Sequence, residues 1–188
     1  MIGSRGPTIV TVPVHGTSKR SGIKCCCCQC CTCINLQFLK TGPGIVKALE
    51  VGLGFLCQSL SVRYGYEYSG TIGLSLQSFL AVASWCFMTT LLLLMCYVFS
   101  SRSIHLIKSS LFEIVFNTIA AFSYLTSGSY LGYIVNLVLE PIYAITPHYG
   151  VYPAMSASYM IGSVLGIIYA YDAYNSYKYF KAFSPIRN

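Results

Sequence analysis

The sequence predicts an all-α protein, a transmembrane four-helix bundle with both termini cytoplasmic, and three observations predict it. The stretch 72–99 contains no Asp, Glu, Lys, Arg or His. A helix rises about 1.5 Å per residue and a hydrocarbon core is about 30 Å thick, so this run can cross with room for tilt. Three further apolar stretches, at about 44–62, 104–126 and 154–174, suit additional spans. Composition agrees: hydrophobic residues make up 55% of the chain and charged residues only 9%, against about 25% charged in soluble domains.

The formal charge of +7 does not point to nucleic acid, because most of the basic residues flank the apolar runs and form no DNA- or RNA-binding motif. Arg5, Lys19, Arg20, Lys24 and Lys40 precede the first span, Arg102 and Lys108 surround the middle turn, and Lys178, Lys181 and Arg187 follow the last. The two opposite loops offer Arg63 alone. By the positive-inside rule, the N-terminus, the middle turn and the C-terminus face the cytoplasm.

Residues 1–38 read as a cytoplasmic tail. Its first part has no apolar run suited to a signal peptide, and Ile2 after Met1 excludes an N-myristoylation start. The tail holds seven of the ten cysteines: Cys25, Cys26, Cys27, Cys28, Cys30, Cys31 and Cys33. Thiols beside a membrane are substrates for S-acylation, and two or more acyl chains anchor stably where one is marginal. Unmodified thiols are one alternative and a metal site is another. The CxxC spacing of Cys25, Cys28 and Cys31 has no second distant pair and no nearby His, so no metal or other cofactor is expected. The cytosol keeps thiols reduced, and no structural disulfide is predicted. No N-glycosylation sequon occurs.

The first span carries Lys47 and Glu50, three apart on one helix face and able to neutralise each other in part. Snorkelling of Lys47 to the interface is the expected arrangement. Gly44, Ala48 and Gly52 recur every four residues, a small-residue strip for close helix approach. The loop after it holds Tyr64, Tyr66 and Tyr68, suited to an aromatic belt. In the second span Ser75, Gln77, Ser78, Thr89 and Thr90 can bond a neighbouring helix or their own backbone.

In the third span Glu113 and Asn117 are four apart and share a face. A carboxyl this deep must point into the bundle, either as an interhelical hydrogen bond, the favoured reading, or as part of an ion pathway. Ser127 to Pro153 is interrupted by Glu140-Pro141 and is expected as an interfacial helix or membrane-hugging loop. The last span carries Ser158, Gly162, Gly166 and Ala170 at four-residue intervals, a packing face within the bundle or between copies. Asp172 lies near its end, before the aromatic and basic tail from which residues 184–188 emerge.

These segments resemble a known family. GIVKALEVGLGFL in the first span, LFEIVFNTIAAFSYL in the third and IIYAYDAYNSYKYF closing the fourth are similar to the MARVEL domain over about residues 39–183. The resemblance implies four crossings with cytoplasmic ends, and intramembrane polar residues at Glu50, Glu113, Asn117 and Asp172. It also implies work at membrane apposition, vesicle trafficking and fusion, with the pre-fusion step of myoblast fusion as its finest expectation. Many relatives have cysteines in the loops across the membrane; this chain has none there, which puts a loop-disulfide mechanism in doubt.

The function expected is that of a non-enzymatic organiser whose partners are membrane lipids and other membrane proteins or further copies of itself. A cell-junction scaffold is one alternative, and a small transporter or channel using Lys47, Glu50, Glu113 and Asp172 is another. An enzyme is not expected, because His15, His105 and His148 are scattered and no HExxH or GxSxG pattern occurs.

Overall fold

Thr41 begins the first long helix, and the reason is local. Its backbone is extended (φ −81°, ψ 152°), its hydroxyl oxygen accepts from the Gly44 N–H at 3.3 Å, and Pro43 occupies the first turn. A short 3-10 turn, Phe38–Lys40, precedes it and folds back so that the Phe38 carbonyl lies where a side chain on Gly44 would stand. Only glycine fits there. The computed structural model describes residues 37–66, 69–100, 104, 106–107, 110–146 and 150–183. The chain divides into two units, Met1–Cys33 and Ile34–Asn188, and the described residues all lie in the second. The cysteine-rich segment from Cys25 to Cys33 lies outside them.

The described residues are helical almost throughout. Helix α1 (Gly42–Leu60) continues through a π turn, Ser61–Gly65. Helix α2 spans Ser69–Phe99, with non-helical backbone at Gly73. Helix α3 (Leu111–Ile134) also ends in a π turn, Val135–Leu139, followed by the short α4 (Glu140–Ile145). Helix α5 spans Val151–Phe183. The α1 segment with its π turn, α2 and α5 are long and apolar enough to cross a membrane. At 24 residues, α3 equals the α1 segment in length and is shorter than α2 and α5, and it carries Glu113, Asn117 and several hydroxyl side chains. Helix α1 packs on α2 and α5, and α3 packs on α2 and most extensively on α5.

Burial follows a near-heptad rhythm that keeps one face of each helix inward. On α2 the buried positions include Ile72, Phe79, Ala83, Cys86, Thr90, Leu93 and Tyr97; on α5 they include Val151, Met155, Ser158, Gly162, Leu165, Tyr169, Asp172 and Ser176. The interior holds many polar groups, whereas Leu74, Met88, Leu92, Phe112, Phe122, Val164 and Ile167 point outward. That inversion suits hydrocarbon, not water, as the outer solvent. Outward hydroxyls bond their own helix: Thr89 donates to the Trp85 carbonyl at 2.8 Å, Thr118 to that of Ile114 at 2.7 Å and Thr126 to that of Phe122 at 2.9 Å.

Two expectations about the third helix are corrected. It does not run unbroken from Ile104 to Thr126. Ser110 is extended (φ −96°, ψ 155°), and both its N–H and hydroxyl turn back to the Ile107 carbonyl, so the helix starts at Leu111. Nor does it stop at Thr126. Ser127 donates to the Ser123 carbonyl at 2.7 Å, and the helix runs on through Gly128 and Gly132, which lie against α5. The stretch expected as an interfacial loop is thus in large part an extension of α3, with α4 after it.

The small-residue strips also shift. Gly52 is exposed, with nothing within 4 Å of a built Cβ, and Ala48 is half-buried. Gly54 is the inward glycine, against the Phe87 side chain and the Tyr124 hydroxyl. On α5, Ser158, Gly162 and Gly166 are buried but Ala170 is exposed, and Tyr169 takes the inward place. A helix turns about 100° per residue, so a four-residue repeat drifts about 40° at each step and leaves the interface.

Candidate functional site: a buried charge cluster and its cleft

One turn into α1, Lys47 is 1% exposed. Snorkelling is therefore ruled out at this position. Its side chain stays inside because carboxyl and amide oxygens from three helices converge on it. Lys47 Nζ lies 3.0 Å from Glu50 Oε2 on its own helix and 2.7 Å from Asp172 Oδ2 on α5. It donates to Asn117 Oδ1 on α3 at 3.0 Å and lies 3.8 Å from Glu113 Oε1, also on α3. Asn117 Nδ2 in turn donates to Asp172 Oδ2 at 2.7 Å.

Each partner arrives by helical spacing. Lys47 and Glu50 share the inward face with Gly54 and Cys57 of the same helix. Glu113 and Asn117 are one turn apart on α3, and Asp172 follows Tyr169 by three residues on α5. Aromatic rings wall the ammonium: it lies 6.0 Å from the Phe116 ring centroid and 5.9 Å from that of Tyr169. The Tyr124 and Tyr169 rings stack at 5.8 Å, and the Tyr169 hydroxyl shares a 2.7 Å hydrogen bond with Thr90 of α2. Tyr97 of α2 is buried in the same interior. All four long helices thereby contribute to one polar centre.

Removing a charge from water costs several kcal/mol even after relaxation, so such groups persist only when paired. Here Lys47 faces three carboxyl groups, those of Glu50, Glu113 and Asp172, and Glu50 Oε1 is buried without a hydrogen-bond partner. One ammonium is thus shared at hydrogen-bond distance by the carboxyl groups of Glu50 and Asp172. Its ion pairs and hydrogen bonds join α1 to α3 and α5. Among the described residues, no group of His, Cys, Asp and Glu is placed to hold a metal ion.

Beside the cluster, a cleft of about 430 Å³ opens between Pro43 and Val46 of α1 and Tyr171, Asn175 and Tyr179 of α5, and Asp172 lines it. Asp172, 5% exposed, therefore belongs both to the cluster, through Oδ2, and to the lining of the cleft.

Below the cluster, glycines bring α5 close to both α2 and α3. A Cβ on Gly162 would stand 2.6 Å from the Phe79 ring, and one on Gly166 would stand 2.8 Å from Leu125 and 3.3 Å from the Ala121 carbonyl oxygen. From α3, Gly128 and Gly132 meet Tyr159. Sequence reasoning missed this pair because it lay in a presumed loop, although Gly128 and Gly132 form a GxxxG of their own. Gly54 was missed too; its signal is a position seven residues after Lys47 on the same face. Cys57 and Cys86 are buried free thiols, and Cys96 is a free thiol on the exposed side.

The family model for MARVEL, the membrane-associating domain, matches residues 38–175. Protein singles bar of Drosophila melanogaster is 44% identical over 168 residues, covering 89% of this chain and 96% of that protein. No solved structure matches. The match takes in Lys47, Glu50, Glu113, Asn117 and Asp172, and the protein is a multi-pass membrane protein that belongs to the MARVEL family.

Proposed function

We propose that the protein is a non-enzymatic organiser of membrane apposition, acting in vesicle trafficking and fusion and, most specifically, before the fusion of myoblasts. The observation that carries this reading is the Lys47 cluster: its ion pairs and hydrogen bonds tie α1 to α3 and α5. A lysine held by three carboxyl groups and an amide makes a rigid scaffold with an apolar exterior, which is what gathering lipids and other membrane proteins demands. The extensive likeness to Protein singles bar supports it.

In this reading the chain crosses the bilayer four times, α3 included, with both termini in the cytosol. The basic residues before α1 and after α5 support that orientation. The cysteines from Cys25 to Cys33 then face the cytosol and carry the acyl chains that concentrate the protein in membrane patches. Exposed small residues such as Gly52 and Ala170 are free to meet another membrane protein or a second copy.

Loss of the protein followed by electron microscopy of contacting membranes tests the reading. Unfused vesicles accumulating at apposed membranes are expected. Open paracellular gaps with normal fusion would replace it with a junction scaffold.

A further inference from the structure

We propose that the cleft between the start of α1 and the end of α5 binds a quaternary ammonium group, the choline head of a membrane phospholipid. The inference goes beyond the organiser role and rests on the helices lying in a bilayer.

Size sets the class first. At about 430 Å³ the cleft falls in the range of small-ligand sites, about 300–1,000 Å³, and is far larger than a bare metal ion needs. Charge sets the sign. Asp172 lines the cleft and, among the described residues, no basic side chain does, so an anion finds no partner in these walls. Behind Asp172 stands Glu50, its Oε1 buried without a hydrogen-bond partner, and the two carboxyl groups share the one ammonium of Lys47. A positive group arriving at the rim is drawn to that pair of carboxyl groups. The walls set the chemistry of the cation. Tyr171 and Tyr179 offer aromatic surface, Pro43 and Val46 offer aliphatic surface, and Ser176 and Asn175 are the neutral polar groups. Methyl groups around a nitrogen pack on such walls, and tyrosine faces attract the charge. Depth points the same way. The cleft lies where α5 carries Tyr171, Tyr174, Tyr177 and Lys178, side chains suited to the headgroup layer.

Native mass spectrometry of the full chain released from detergent, with phosphatidylcholine, phosphatidylethanolamine and phosphatidylglycerol of identical acyl chains, tests the site. Phosphatidylcholine should be retained about fivefold more tightly than either of the others. Tyr171→Ala, at a residue 58% exposed and so removable without opening the core, should erase the preference. Val46→Phe, which narrows the cleft from the other wall, should do the same. Displacement of the lipid by free phosphocholine would show that the head alone is recognised, and failure to displace it would place the source in the bilayer; both uphold the site. Equal retention of the three lipids overturns it. So does phosphatidylethanolamine matching phosphatidylcholine, or a preference that survives both variants.

Discussion

Lys47 Nζ and Asp172 Oδ2 stand 2.7 Å apart, joining the first turns of α1 to the last third of α5. Neither group can be buried alone, and Glu50, Glu113 and Asn117 complete the arrangement. Lys47→Met would leave the buried carboxyl groups of Glu50 and Asp172 without the cation they share. It should destabilise the protein by about 3 kcal/mol or more, read as unfolding in mixed detergent micelles. Lys178→Met, at an exposed position, should change the same transition by no more than about 0.5 kcal/mol. Equal effects of the two variants would remove the cluster from the account of stability.

Helix approach gives a second contrast. Gly162→Ala drives a methyl into the ring of the fully buried Phe79, whereas Gly52→Ala meets nothing. The first should cost about 1–3 kcal/mol by overpacking. The second should be neutral or stabilising by up to about 1 kcal/mol, since alanine favours the helix. Thermal unfolding of the two purified variants in detergent separates them.

The membrane character of the chain was legible because hydrocarbon demands long uncharged helices, and 72–99 satisfies that demand by composition alone. The polar residues of the site were legible one by one, because an acid or a lysine inside an apolar run stands out. Their meeting was not. Lys47 and Glu50 share a face by local spacing, but the convergence of Asp172 and Asn117 on Lys47 depends on which faces of α3 and α5 turn inward. With apolar residues outside and polar ones scattered within, the usual amphipathic pattern gives no guide to that. The same weakness hid the length of α3. Ser127, Gly128 and Ser129 carry loop composition in water, yet in a bundle they are a hydroxyl bonded to its own helix and a surface for close packing.

Thr90 and Tyr169 share a buried 2.7 Å hydrogen bond between α2 and α5. Thr90→Val keeps the shape and strands the Tyr169 hydroxyl, at a cost of about 1 kcal/mol. Thr89→Val, where the lost bond is to the residue's own helix on the exposed side, should have a smaller effect. A double-mutant cycle of Thr90→Val with Tyr169→Phe should return most of the loss as coupling.

Substituting Ser at Cys25, Cys26, Cys27, Cys28, Cys30, Cys31 and Cys33 together should remove labelling by an alkyne fatty acid and disperse the protein from its membrane patches. Labelling that persists after all seven are replaced would place the acyl chains elsewhere.

The most direct test is the sidedness of the two chain ends. With epitope tags at each end and only the plasma membrane permeabilised, both tags should be reached by antibody from the cytosolic side, and neither from outside intact cells. One tag on each face would mean an odd number of crossings, and the four-crossing bundle around Lys47 would fall.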